Sequence, residues 1–196
     1  MVSKTKKNKT KKIYTSKDFK SGDGMLTTVW GPSLWHYLHT MSFNYPVKPT
    51  QEQKEKHKEF ILNLQYTLPC RYCRENLKKN LKQLPLTCND LKNRENFSRW
   101  VYKLHEIINK MLGKKSGLTY KQVRERYEHF RSRCTDEKDK KTMKVKKPKK
   151  SKTRKKEKGC TKPLYGKKSK CIIKIVPQGT RCKTFQMDKK CEKKRQ

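Results

Sequence analysis

Apolar and acidic residues are both scarce in this chain of 196 residues. Only 31% of the residues are hydrophobic, and 17 Asp and Glu stand against 54 Lys and Arg, which gives a formal net charge of +37. A single fold built from the whole length would have too little apolar material, and its charges would repel one another. The composition therefore predicts one small compact domain with solvated basic flanks.

Long apolar runs are absent as well. No stretch approaches the roughly 20 apolar residues that a membrane span needs. The first residues, MVSKTKKNKTKKIYTSK, lack both the apolar core of a secretory signal and the amphipathic pattern of a transit peptide. We therefore expect a cytosolic protein. In that compartment, eight cysteines indicate redox chemistry or metal binding before a structural disulfide framework.

The charge is distributed unevenly along the chain. Residues 1–22 carry +7, residues 23–134 carry +11 and residues 135–196 carry +19. Helical periodicity is confined to the middle segment, and lysine runs without such periodicity are typical of disorder. We expect a disordered basic arm at 1–22, a folded domain at 23–134, a disordered basic linker at 135–158 and a cysteine-containing basic tail at 159–196.

Apolar residues in the folded domain recur at helical spacing, and no segment alternates convincingly. Pro32 suits the first turn of the first helix, and Thr50 and Thr119 begin capping boxes. Gly113 suits the position just after a helix end. Short connections favour packing into a small all-α bundle. Five helices are predicted, at about residues 32–43, 51–68, 70–84, 96–112 and 120–130.

The motif that carries chemistry is a C-x-x-C, Pro69-Cys70-Arg71-Tyr72-Cys73. It lies at a predicted helix N-terminus, where free N–H groups and the helix dipole stabilise a thiolate. The basic neighbours Arg71 and Arg74 act in the same direction. Two thiols at this spacing interconvert between dithiol and disulfide with little backbone movement. The pair is therefore suited to accepting two electrons from another dithiol.

The residues alone leave three interpretations of this pair open. A structural zinc site usually needs four protein ligands, and the folded part offers only Cys88 and Cys134 beyond the pair. A buried, inert pair is the second alternative, although Cys-Arg-Tyr-Cys is basic for a core. A redox pair is the third. It would not be of the thioredoxin type, which is expected beside a βαβ pattern. It would also need an organic electron carrier, because a dithiol does not readily pass two electrons to oxygen.

Further motifs follow one another through the folded domain. They are Gly31-Pro32-Ser33-Leu34-Trp35-His36-Tyr37-Leu38-His39, Tyr45-Pro46, Pro49-Thr50, the C-x-x-C, Trp100-x4-His105-x3-Asn109-x2-Leu112-Gly113-Lys114 and Arg126-Tyr127. Together they resemble the Erv/ALR-type FAD-linked sulfhydryl oxidases, over about residues 24–130. The Trp-Gly-Pro-x-x-Trp version of the first motif is most similar to the oxidases of large cytoplasmic DNA viruses.

The resemblance implies a four-helix bundle with a short fifth helix, holding FAD in its mouth. It also implies that a substrate dithiol attacks the Cys70–Cys73 disulfide and that Cys70 is the interchange sulfur. Cys73 would then lie against the flavin and deliver the electron pair. The final acceptor would be O2, which is reduced to H2O2. The expected function is thus an FAD-dependent thiol oxidase that makes protein disulfides.

The same resemblance assigns FAD contacts to Gly31, Trp35, His39, His105, Asn109, Lys114, Arg126 and Tyr127. Aromatic faces stack on ring systems and cations meet a pyrophosphate, so the residue types suit the cofactor. Each also has an ordinary explanation, for example Trp35 as a core aromatic or Lys114 as the complement of a helix C-terminus. Their joint order with the C-x-x-C favours the cofactor. Trp100 is assigned to packing in the core. Three histidines are assigned to the surface: His36, His57 and His129.

The chain departs from the family at three positions. Many members have Arg where this chain has Pro32, which removes one expected cofactor contact. Many also carry a structural disulfide between positions that correspond to Lys82 and Tyr102. Both positions have changed together, so that bridge is expected to be absent. Cys88 is then expected to be a free thiol.

The tail cysteines have no familiar metal spacing. Cys160, Cys171, Cys182 and Cys191 are separated by 11, 11 and 9 residues. Family members often use a second cysteine pair as a shuttle. A disordered linker at 135–158 would be long enough to bring the tail cysteines to the C-x-x-C. A shuttle, separate disulfides and zinc binding all stay open. The run 171–176 is the one strand-like segment in the tail.

The alternative function is a basic nucleic-acid-binding protein whose C-x-x-C is structural or binds zinc. Lysine-rich arms bind phosphate nonspecifically and with a steep salt dependence. Against this alternative, aromatic residues are sparse in the basic runs and no base-reading motif occurs. The resemblance implies instead a dithiol protein substrate, such as a thioredoxin-like carrier or a virion protein, and a homodimer. It is consistent with the host cytoplasm, a viral factory or the virion as the location.

Overall fold

The computed structural model describes residues 15–133, 160 and 162–164. The described residues form helices and two very short strands. The helices are α1 Ser16–Phe19, α2 Thr27–Asn44, α3 Gln51–Thr67, α4 Arg71–Gln83, α5 Arg94–Met111 and α6 Tyr120–Glu128, and the strands are β1 Ser132–Arg133 and β2 Lys162–Pro163.

Four helices, α2 to α5, form the bundle. Helix α2 packs against α5, α3 against α4, and α4 against α5, while the short α6 lies against α2. Each bundle helix contributes to one buried cluster, for example Leu38, Ile61, Leu77 and Trp100. The predicted four-helix bundle with a short fifth helix is therefore confirmed. Trp100 is a packing residue, as predicted, and its indole N–H donates to the Pro85 carbonyl at 3.3 Å.

The helix ends follow the predicted local signals. Thr50 and Thr119 both cap their helices through complete capping boxes. Helix α5 ends in a Schellman motif, in which the Gly113 N–H donates to the Lys110 carbonyl and the Lys114 N–H to the Asn109 carbonyl. Gly113 adopts a φ of 66°, which a side chain would disfavour. The turn therefore fixes where the chain leaves α5 on its way to α6.

The predicted start of the first bundle helix is wrong. Helix α2 begins at Thr27, so Pro32 lies inside the helix rather than in its first turn. An interior proline costs about 3 kcal/mol relative to alanine, because it lacks the N–H and crowds the preceding turn. The earlier start lets Trp30 pack against the core, and a local hydrogen bond from its indole N–H to the Met25 carbonyl, at 3.0 Å, supports it.

Short structured pieces lie within two segments that the sequence predicts to be disordered or unstructured. Thr15 and Asp18 form a capping box that supports the single turn of α1. Strand β1 pairs antiparallel with β2, and the Leu164 N–H donates to the Arg131 carbonyl at 2.7 Å. The predicted strand at 171–176 lies outside the described residues, as do Cys134, Cys171, Cys182 and Cys191. None of the described helices is long and apolar enough to cross a membrane.

Candidate active site

Cys70 and Cys73 form a disulfide at the start of α4, with their Cα atoms 5.2 Å apart. Cys70 is the N-cap residue, and its Sγ accepts the Cys73 N–H at 3.2 Å. The predicted position of the C-x-x-C at a helix N-terminus is thus confirmed. In this oxidised form the pair has no thiolate to offer a metal. Within the described part of the chain, no three His, Cys, Asp or Glu side chains are grouped closely enough to hold a metal ion.

The chain segment before α2 holds the C-x-x-C in place. The Met25 N–H donates to the Pro69 carbonyl at 2.8 Å, and Gly24 lies directly against this turn. A Cβ at Gly24 would lie 2.9 Å from the Pro69 carbonyl oxygen and 3.3 Å from Cys70 Cα. In addition, the Arg74 guanidinium donates to the Leu68 carbonyl. The backbone that presents Cys70 is therefore clamped by two separate contacts.

A cavity of about 770 Å³ opens beside the disulfide, between helices of the bundle and α6. This volume lies within the range of ligand and cofactor sites. Cys73 lines the cavity, whereas Cys70 is not among its lining residues. The two sulfurs therefore have different surroundings: one belongs to the wall of the cavity and the other to the outer turn.

All eight residues predicted to contact FAD line this one cavity. They are Gly31, Trp35, His39, His105, Asn109, Lys114, Arg126 and Tyr127. They come from α2, α5, α6 and the connection after α5, and only the packing of the bundle brings them together. The structure thus assembles in space the set that the sequence orders along the chain.

His39 and His105 form a bonded pair in the wall of the cavity. His39 Nε2 and His105 Nδ1 are 2.9 Å apart, so one ring nitrogen donates and the other accepts. The indole of Trp35 stacks on the His105 ring, with 3.9 Å between centroids and 4° between planes. Burial, reinforced by His105, lowers the pKa of His39 to about 3, and burial lowers the pKa of His105 to about 4. Both rings are therefore neutral at pH 7.

Two buried polar atoms in the cavity wall have no hydrogen-bond partner within the described residues. They are His39 Nδ1 and Asn80 Nδ2. A buried polar group left without a partner costs about 1–3 kcal/mol. Groups of this kind mark a place where a polar ligand atom completes the structure. The cavity thus combines aromatic faces with unmet hydrogen-bonding capacity, which fits a cofactor that has an aromatic ring and polar ring atoms.

The cavity mouth is basic. Lys114, Lys115 and Arg126 line it, and the Schellman motif fixes the backbone of Lys114. Burial raises the pKa of Tyr127 to about 12, so its hydroxyl keeps its proton at neutral pH. Such a mouth suits an anionic group such as a pyrophosphate.

Of the three histidines predicted to lie at the surface, two are instead half-buried, His57 and His129. His57 is half-buried, with its ring edge against Tyr45 and Phe97. His36 is exposed as predicted, but it lines the cavity, and its Nδ1 lies 3.3 Å from the Tyr127 hydroxyl. Sequence reasoning also missed Asn80. No spacing rule marks these residues, because their environments depend on which helices pack together.

Comparison with known proteins places this cavity in context. Residues 32–128 match the model of the Erv1/Alr family. A probable FAD-linked sulfhydryl oxidase of Acanthamoeba polyphaga mimivirus is 37% identical over 99 residues, which cover 50% of this chain and 68% of the viral protein. The chain belongs to the Erv1/Alr family.

Two other comparisons cover a similar share of this chain. The FAD-linked sulfhydryl oxidase of an African swine fever virus isolate is 36% identical over 98 residues, 49% of this chain and 80% of that protein. The crystal structure of the yeast Erv1 core aligns with a TM-score of 0.48 and 26% identity, covering 57% of this chain and 92% of that one. The sequence relatives confirm the predicted family, and viral proteins are among them.

The buried histidine pair predicts a pH-dependent stability. Because the pKa of His39 is lowered in the folded protein, the unfolded chain binds more protons than the folded one below pH 6.5. The free energy of unfolding therefore decreases as the pH is lowered. One histidine contributes a slope of about 1.4 kcal/mol per pH unit. His39→Gln should reduce the slope by that amount between pH 6 and 4.5 in urea unfolding. An unchanged slope would show that His39 titrates normally.

The clamp on the C-x-x-C predicts a difference between two glycine substitutions. Gly24→Ala should lower the free energy of unfolding by about 1–3 kcal/mol, because the new methyl group forces the Pro69–Cys70 backbone to move. Gly22→Ala is the matched control, since a Cβ there meets nothing within 4 Å. Urea unfolding followed by circular dichroism measures both. Equal stability of the two variants would contradict the close approach.

Proposed function

We propose that this chain is an FAD-linked sulfhydryl oxidase that uses the Cys70–Cys73 pair to convert protein dithiols to disulfides, with reduction of O2 to H2O2. The observation that carries the proposal is the position of the disulfide: Cys73 lines a cavity whose wall contains stacked aromatic rings and two unmet polar atoms. The FAD-linked relatives support the choice of cofactor. In balance, one dithiol and one O2 give one disulfide and one H2O2.

The first chemical step is thiol–disulfide exchange at Cys70. A substrate thiolate attacks Cys70 Sγ, the Cys70–Cys73 bond breaks, and Cys73 leaves as a thiolate in the cavity wall. The second substrate thiol then displaces Cys70, which completes the substrate disulfide and leaves both cysteines reduced. The positive end of the α4 dipole favours a thiolate at either cysteine, and the Cys73 N–H, which donates to Cys70 Sγ, favours the Cys70 thiolate released in the second displacement.

The cavity supplies the second half of the site. FAD, when bound, would supply a two-electron acceptor beside Cys73 that O2 can reoxidise. Trp35 and Tyr127 offer aromatic faces, and the neutral His39–His105 pair offers an uncharged donor and acceptor. Lys114 and Arg126 offer cations for the pyrophosphate. Gly31 and Asn109 complete the proposed binding set.

The exchange route predicts the behaviour of cysteine variants. Cys70→Ser and Cys73→Ser should each abolish O2 consumption with dithiothreitol. The purified variants should still retain flavin, because neither substitution removes a residue of the proposed binding set. Cys88→Ser is the matched control, since Cys88 is exposed and free. An oxygen electrode, a peroxide assay and an absorbance spectrum give the three readouts. Turnover by Cys73→Ser would refute the assigned route.

The proposed binding set predicts weaker cofactor retention in two other variants. His105→Ala and Asn109→Ala should each weaken FAD binding about tenfold, the effect expected for one lost hydrogen bond in a binding site. Lys110→Ala, an exposed position on the same helix, is the control. Flavin absorbance per chain after dialysis against free FAD at several concentrations measures the affinity. Wild-type affinity in both variants would contradict the assignment.

A further inference from the structure

Asn80 is the one buried polar residue of α4 that lines the cavity, and the exchange chemistry does not use it. The residue is only 6% exposed, and its Nδ2 atom has no partner among the residues that the structure describes. A buried amide N–H without an acceptor lowers the stability of the folded protein by about 1–3 kcal/mol. The lining of the cavity therefore contains a donor without an acceptor.

The surroundings of Asn80 make this donor unusual. Among the buried cavity residues that the structure describes, only His39 and Asn80 have a polar side-chain atom for which these residues offer no partner; the others, such as Leu77, Val101 and Leu104, are apolar. A water molecule would find few hydrogen-bond partners among these apolar buried residues. A ligand acceptor atom is therefore the better match for Nδ2.

The position of Asn80 on α4 relates it to the redox pair. It follows Cys73 by seven residues, which is about two helical turns or 10 Å along the axis. Residues with that separation lie on the same face of a helix. Cys73 and Asn80 therefore line the same cavity from one helix face, with Cys73 close to the N-terminus of the helix.

We propose that Asn80 is a further cofactor-binding residue, whose side-chain amide donates a hydrogen bond to an acceptor atom of the flavin ring system. This inference rests on the proposed function. The polar atoms of an isoalloxazine are concentrated at one end of its ring system, and hydrogen bonds to those atoms tune the electronics of the cofactor.

The hydrogen bond also affects how readily the ring accepts electrons. Reduction adds electron density to the polar end of the ring, and a donor favours the more electron-rich form. Asn80 therefore favours reduction by the dithiol. Without the amide, the equilibrium constant for reduction falls about tenfold, which for a two-electron couple is a shift of about 30 mV to more negative potential.

The test uses the full-length, flavin-loaded protein. Asn80→Leu removes the donor at similar volume, and Asn80→Ala is a second variant that has no side chain able to clash. Asn63→Leu, at an exposed position on α3, is the matched control. Flavin affinity and the midpoint potential of the bound flavin, measured by equilibration with a reference dye, are the readouts. A merely structural asparagine would leave the potential unchanged.

The measured affinities and potentials distinguish a cofactor-binding Asn80 from a structural one. The inference is supported when both Asn80 variants keep the helical circular dichroism signal, bind flavin about tenfold more weakly and show the more negative potential, while Asn63→Leu matches the wild type. Wild-type affinity and potential in the Asn80 variants would overturn it and indicate that water meets the amide. A wild-type chain that binds no flavin would overturn the proposed function itself.

Discussion

The three-residue spacing of the cysteines across a helix boundary is the constraint on which the site depends. Cys70 has the extended backbone of an N-cap, with φ −156° and ψ 118°, whereas Cys73 is already in the helix. The two sulfurs can therefore bond to each other and still face different surroundings, since Cys73 lines the cavity and Cys70 does not. A redox pair placed within one regular helix would present both sulfurs to one side. The close contact with Gly24 maintains the boundary.

The cavity is a source of instability that a cofactor relieves. It leaves two buried polar atoms without partners in the part of the chain that the structure describes, and it keeps two histidines neutral by burial. Any ligand that binds only the folded state stabilises that state by mass action, in proportion to the logarithm of its concentration over its dissociation constant. The buried polar groups that destabilise the bundle without a ligand are therefore the same groups that would recognise the cofactor. Cofactor affinity and protein stability are linked through His39 and Asn80.

Sequence reasoning predicted what local rules determine. Capping boxes, the Gly113 turn and the helical position of the C-x-x-C depend on neighbours within a few residues. It failed at the start of α2, where contacts of Trp30 outweigh an interior proline, and at His57 and Asn80, whose burial is a product of helix packing. The domain boundaries, the homodimer, the cysteine shuttle and nucleic-acid binding by the lysine-rich segments stay predictions.

Tyrosine hydrogen bonds, rather than a disulfide, hold the connection between α5 and α6. The Tyr102 hydroxyl donates to the Leu118 carbonyl at 2.7 Å, which ties α5 to the chain just before α6. The Tyr120 hydroxyl lies 2.8 Å from Ser98 Oγ and joins α6 to α5 again. Because α6 carries Arg126 and Tyr127 to the cavity, these two tyrosines hold one wall of the cofactor site through hydrogen bonds. Unlike a disulfide, they keep that wall in place whether the surroundings are oxidising or reducing.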